Sequence, residues 1–133
     1  MPLAAVTRLR VRKRRFLPLF IITAFRSRSE ARRTEGCLGA DMRAARNRVF
    51  WTRTLWRDLA AMRQFMRGGA GHRQAMARLS HWCDEASLVD WEQESLPSWS
   101  EAEVQLRESG RLSRVQHPSP AQARGETFPS SVS

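Results

Sequence analysis

Arg48 to Trp56 reads RVFWTRTLW. The stretch is dense in aromatic, Val and Thr residues, which suit a pleated and packed surface. Alternation puts Val49, Trp51, Arg53 and Leu55 on one face and Phe50, Thr52, Thr54 and Trp56 on the other. Both faces are largely apolar. The pattern therefore predicts a central strand covered on both sides.

The segments on either side follow the same kind of reading. Ala5 to Arg12 alternates, with Thr7, Leu9 and Val11 on one face and Arg8, Arg10 and Arg12 on the other, so a half-buried strand with a solvated arginine face is predicted. Phe16 to Arg33 has helical spacing at Phe20, Ile21, Ala24, Phe25 and Arg28. Pro18 is in its first turn and Gly36 is beyond its end. Cys37 to Ala45 reads as a weak strand, with Asn47 as the turn into the aromatic one. Asp58 to Met66 and His72 to Cys83 read as helical pieces separated by Gly68, Gly69 and Gly71. Ser87 to Gln93 reads as a strand. Ser98 and Glu101 form a capping box opening a helix that Gly110 closes.

Strand, helix, strand, strand, helix, strand is the split βαβ order. The predicted fold is α+β and ferredoxin-like, an antiparallel four-stranded sheet with its helices on one face. Residues 1–116 form this domain. Residues 117–133 are rich in Pro, Ser and Ala and are expected to be a disordered tail. A sheet with helices on one face only leaves the other face bare. The strand apolar on both sides then implies a homodimer closed sheet to sheet.

The chain has 133 residues, 41% of them apolar, with five Trp and six Phe, enough for one core. No apolar run reaches the roughly 18 residues of a membrane span. Arg8 to Arg15 followed by FLPLFIITAF (16–25) has the outline of an export signal. Pro18 interrupts it, Arg26 and Arg28 end it, and no cleavage motif follows, so a folded segment of a cytoplasmic protein is expected. Cys37 and Cys83 then read as reduced thiols.

The net charge is +10, and Lys13 is the single lysine. An Arg excess of this kind reflects GC-rich coding as much as function. Residues 1–79 carry 19 basic and 4 acidic groups, and residues 80–133 carry 4 and 9. Such a chain can neutralise itself on folding without a polyanion, and no specific nucleic-acid partner is expected.

The sequence contains no HExxH, CxxC, GxSxG, P-loop or GxGxxG motif. His81 and Cys83 would diverge on a helix, so no metal site is expected. His72 follows the glycine break beside apolar turns. It is the candidate acid/base or iron ligand.

FWTRTLWRD (50–58), AMRQF (61–65), GHRQAM (71–76), Trp91 and LPSW (96–99) together resemble the antibiotic biosynthesis monooxygenase-like proteins of dimeric α/β-barrel fold. They are most similar to a DUF3291-type branch near spheroidene monooxygenase-like proteins. The resemblance implies a monooxygenase-like oxidoreductase acting on a small hydrophobic ligand, either haem-dependent or cofactor-free. It matches His72 to the motif histidine. Trp51, Arg53, Trp56 and Phe65 would then line the substrate site. A chain without Tyr rules out any mechanism that needs one. The alternatives are a non-catalytic dimeric ligand-binding or interaction protein on the same fold and, behind it, a basic nucleic-acid binder.

Overall fold

A computed structural model describes residues 1–67 and 70–129, with side chains for all of these except 70–73. The elements run β1 (Leu3–Val11), α1 (Leu17–Arg33), β2 (Cys37–Ala44), β3 (Val49–Trp56), α2 (Leu59–Arg67), α3 (Ala70–Trp82), β4 (Cys83–Glu92), α4 (Trp99–Ser109), β5 (Arg111–Leu112) and α5 (Pro120–Ala123). The sheet is antiparallel in the order β2-β3-β1-β4-β5. This is the predicted ferredoxin-like α+β fold, with a fifth, two-residue strand added at the β4 edge.

β3 alternates as read. Val49 and Trp51 belong to one buried cluster, with Val6, Val89, Ala102 and Leu106. Phe50 and Trp56 belong to two others on the opposite face, under α1, α2 and α3. We call the face under these three helices inner and the other outer. The hairpin from β2 into β3 turns at Asn47 and Arg48, both at positive φ (61° and 63°). Gly36 has φ +90°, and a Cβ there would lie 2.5 Å from the Ala61 Cβ, so only glycine lets α2 pack this close.

Three expectations need correction. The outer face is not bare, because α4 and Phe128 of the same chain pack on it. A second copy of the sheet is therefore not needed to cover it. Of the segment expected to be a disordered tail, residues 117–129 lie instead along β4 and over the outer face, and residues 130–133 fall outside the described residues. Composition misjudged the docked part because much of its anchoring is polar. Ser119 N–H donates to Asp84 O (2.9 Å), and Ser87 Oγ donates to Thr127 O (2.7 Å). The buried Gln122 amide accepts from Ala86 N–H (3.2 Å) and donates to Ser113 O (2.8 Å), acting as a short extra strand. Phe128 then lays its ring 5.2 Å from Trp51.

The arginine face of β1 is not solvated either. Arg8 is buried and donates to Glu85 Oε1 at 2.9 Å, while Arg10 donates to Asp84 Oδ2 at 2.7 Å. Ser119 Oγ donates to the second Glu85 oxygen at 2.8 Å. These pairs explain why β4 starts at Cys83, four residues before the predicted Ser87. Asp84 and Glu85 have poor strand propensity, and the opposing arginines override it.

Removing residues 117–133 should lower the melting temperature by at least about 5 °C, since it uncovers Trp51 and takes Ser119 from Glu85. Differential scanning calorimetry of the truncated chain tests this. Glu85→Ala leaves a buried guanidinium unpaired and should cost about 3–5 kcal/mol. The double change Arg8→Met, Glu85→Leu should recover most of that loss in urea unfolding.

Candidate functional site

The inner face of the sheet is built from small residues at its middle. Ala5 and Thr7 of β1, Ala40 of β2, Thr52 and Thr54 of β3 and Ala86 of β4 all line the space beneath the helices. At one end the helices rest on Trp56 and Phe65, whose rings stack at 5.2 Å. At the other they rest on Phe20 and Phe50, 4.7 Å apart, beside Trp82. Between these aromatic supports the short side chains leave a cavity of about 250 Å³. Its roof is Thr23, Ala24, Ser27 and Arg28 of α1, Met62, Phe65 and Met66 of α2, and Ala75, Met76 and Leu79 of α3. Met66 and Met76 are half exposed and flexible, so they can adapt to a guest.

The polar groups on the floor are satisfied within the protein. Thr7 and Thr52 share a hydroxyl–hydroxyl hydrogen bond, and Trp56 Nε1 donates to Thr54 Oγ1 at 2.9 Å. Arg28 differs. It lines the cavity, its guanidinium lies over the Phe25 ring at 4.9 Å, and its Nε–H is buried with no hydrogen-bond partner. A buried donor left unsatisfied is costly. A guest with an anionic or carbonyl oxygen would relieve that cost.

The structure divides the predicted site residues. Trp56 and Phe65 line the cavity. Trp51 and Arg53 do not, because odd positions of β3 face outward. Trp51 is buried under Phe128, and Arg53 donates to Asp41 Oδ2 (2.9 Å) and Pro97 O (2.8 Å) with its guanidinium 4.3 Å over Trp99. Their work is to hold α4 on the outer face. His72 lies in the first turn of α3, and its side chain falls outside the described residues. Sequence reasoning missed Arg28 as a cavity residue. Its helical spacing was legible, but nothing local marks a donor as unpaired.

Among the described residues no group of three or more His, Cys, Asp or Glu could hold a metal ion. Burial, with the Asp84 charge adding to it, pushes the Cys83 thiol up to about 12, so it stays protonated. A cavity of about 250 Å³ is smaller than the usual ~300–1,000 Å³ of sites for drug-sized ligands. A haem is larger than most such ligands, so this cavity does not fit one.

No protein-family model matches the sequence, and no curated protein matches it. Solved structures do. SnoaB, a cofactor-independent oxygenase from Streptomyces nogalater, superposes with a TM-score of 0.61 at 16% identity, covering 73% of this chain and 98% of that one. The fold is that of the antibiotic biosynthesis monooxygenases. A structure described by that family name matches with a TM-score of 0.61 at 12% identity, over 70% of this chain and 99% of its own. Rv0793 from Mycobacterium tuberculosis matches with a TM-score of 0.64 at 12% identity, over 74% and 100%. The shared fold thus spans 98% of SnoaB and 100% of Rv0793 but leaves roughly a quarter of this chain unmatched.

Asp41 carries a testable consequence. Burial raises its pKa, but the hydrogen bonds from Arg53 and Met42 N–H and the charges of Arg53 and Arg28 outweigh it, so the value is lowered. A lowered folded pKa stabilises above the unfolded value, and that contribution is lost as pH falls through the folded one. Asp41→Asn should cost about 0.5–1 kcal/mol at neutral pH, with the difference from wild type closing below roughly pH 4. Urea unfolding across pH 2–7 measures it.

Proposed function

We propose that the chain is a monooxygenase-like oxidoreductase whose substrate is a compact, largely apolar molecule held in the inner cavity. The observation that carries this reading is an apolar cavity whose buried Arg28 donor is unpaired. An aromatic enol or phenol meets both demands. Its ring sits among Trp56, Phe65 and the methionines, and its ionised oxygen accepts from Arg28. Such an anion is electron-rich, so the substrate itself can reduce dioxygen. In balanced form, a ring CH2 becomes C=O, with one oxygen atom of O2 entering and the other leaving as water with both hydrogens. The fold shared with a cofactor-independent oxygenase supports this form of the reaction.

In this proposal Arg28 stabilises the anion, Trp56 and Phe65 position the ring, and His72 takes the proton. His72 lies one helical turn before Ala75 and Met76, two residues of the cavity roof. One observation favours a second reading, a non-catalytic ligand-binding protein. The threonine hydroxyls of the floor are bonded within the protein, and the described roof holds no group that titrates near neutral pH.

Anthrone, a tricyclic ketone whose enol is a phenol, serves as the probe. Oxygen uptake with anthrone should exceed the buffer rate. Arg28→Met should lower kcat/KM about 100-fold, the usual effect of losing one donor to a developing anion. Trp56→Ala should raise KM, and His72→Ala should abolish turnover. Quenching of tryptophan fluorescence without oxygen uptake would replace the enzyme with the ligand-binding reading. Neither quenching nor uptake would end both.

A further inference from the structure

The apolar run 16–25 is only partly used by the core. Phe20 is 1% exposed, and Phe16, Leu17 and Ala24 pack partly against its cluster. On the other side of α1, Leu19 is 55%, Ile22 49%, Phe25 47% and Ile21 37% exposed. At 100° per residue these four fall within an arc of about 160°. Single exposed apolar residues are ordinary, but four on consecutive turns of one helix form a patch, and patches mark contact sites.

The patch is rimmed by positive charge that meets no carboxylate among the described residues, although Arg15 also lies over the Phe16 ring at 5.0 Å. Lys13, Arg14 and Arg15 are exposed directly before it, and Arg26 directly after. The first acidic residue of the chain is Glu30. Arg8 and Arg10, by contrast, are neutralised by Glu85 and Asp84. Self-neutralisation thus accounts for the arginines of β1 and not for those around α1.

We propose that this face of α1 docks on the surface of an anionic lipid bilayer. The four apolar side chains enter the headgroup–acyl boundary, and Lys13, Arg14, Arg15 and Arg26 meet lipid phosphates. The combination decides the occupant. A nucleic acid would use the charge and leave four large aliphatic and aromatic side chains wet. An apolar face with a basic rim is the pattern of interfacial helices. Each basic residue near an anionic surface strengthens binding about fivefold. Among the described residues no helix is long and apolar enough to cross a membrane, so the contact is a surface one. The inference is independent of any activity in the cavity.

Co-sedimentation of the full chain with vesicles tests it. Phosphatidylcholine vesicles containing about 30% phosphatidylglycerol should bind the protein at least tenfold better than phosphatidylcholine alone. Ile22→Glu with Phe25→Glu should lose that binding at an unchanged melting temperature. Lys13→Glu with Arg14→Glu should weaken it at least tenfold, and this pair of exposed residues serves if the first variant does not fold. Equal binding to both vesicle types, or unchanged binding by the variants, would overturn the proposal. So would light scattering in which Ile22→Glu, Phe25→Glu converts a dimer to a monomer, because the patch would then join two copies of this chain.

Discussion

Strand β3 is apolar on both faces, and much of the fold follows from keeping water off each of them. The inner face is roofed by α1, α2 and α3. The outer face is closed by α4 and by Phe128, sixteen residues beyond the last strand. Burying this much aromatic surface is strongly favourable, at about 25 cal/mol per Å². It requires each charged side chain travelling with it to find at least one partner. Arg8, Glu85 and Ser119 form that pairing at the centre of the outer face, where an unmatched charge would be expensive.

The two faces are closed in different ways, and the difference sets where chemistry can happen. On the outer face arginines lie over an indole ring, Arg53 and Arg43 over Trp99 at 4.3 and 4.9 Å, and these side chains fill the layer. On the inner face the middle of the sheet carries Ala and Thr, while bulky rings stand only at the ends. The helices are held away from the sheet there, and a cavity results. An apolar void costs stability in proportion to its volume. The proposed substrate would fill that void and accept from the Arg28 donor beside it.

The fold was legible because its main elements carry local signals. The alternation of RVFWTRTLW, the Ser98–Glu101 box and the positive-φ turn at Asn47 can each be read without tertiary knowledge. Three features were not legible, and for a common reason. The start of β4 at Cys83, the burial of Arg8 and the docking of residues 117–129 all depend on partners 34 to 77 residues away. Their residues are charged or small, so composition assigns them to solvent. The site followed the same rule. The resemblance implied Trp51, Arg53, Trp56 and Phe65 together, and of these Trp56 and Phe65 line the cavity. Strand alternation sends Trp51 and Arg53 to the opposite face. Arg28 was missed because being unpaired is a property of the whole fold.

The central claim is that the outer face is covered by this chain's own C-terminal segment. An isotope-filtered nuclear Overhauser experiment on an equimolar mixture of labelled and unlabelled protein measures that contact directly. The account predicts strong cross-peaks between the Phe128 ring and the Trp51 indole within one labelled chain, and none between labelled and unlabelled chains. Phe128 at random-coil shifts, or Phe128–Trp51 cross-peaks only between chains, would contradict it.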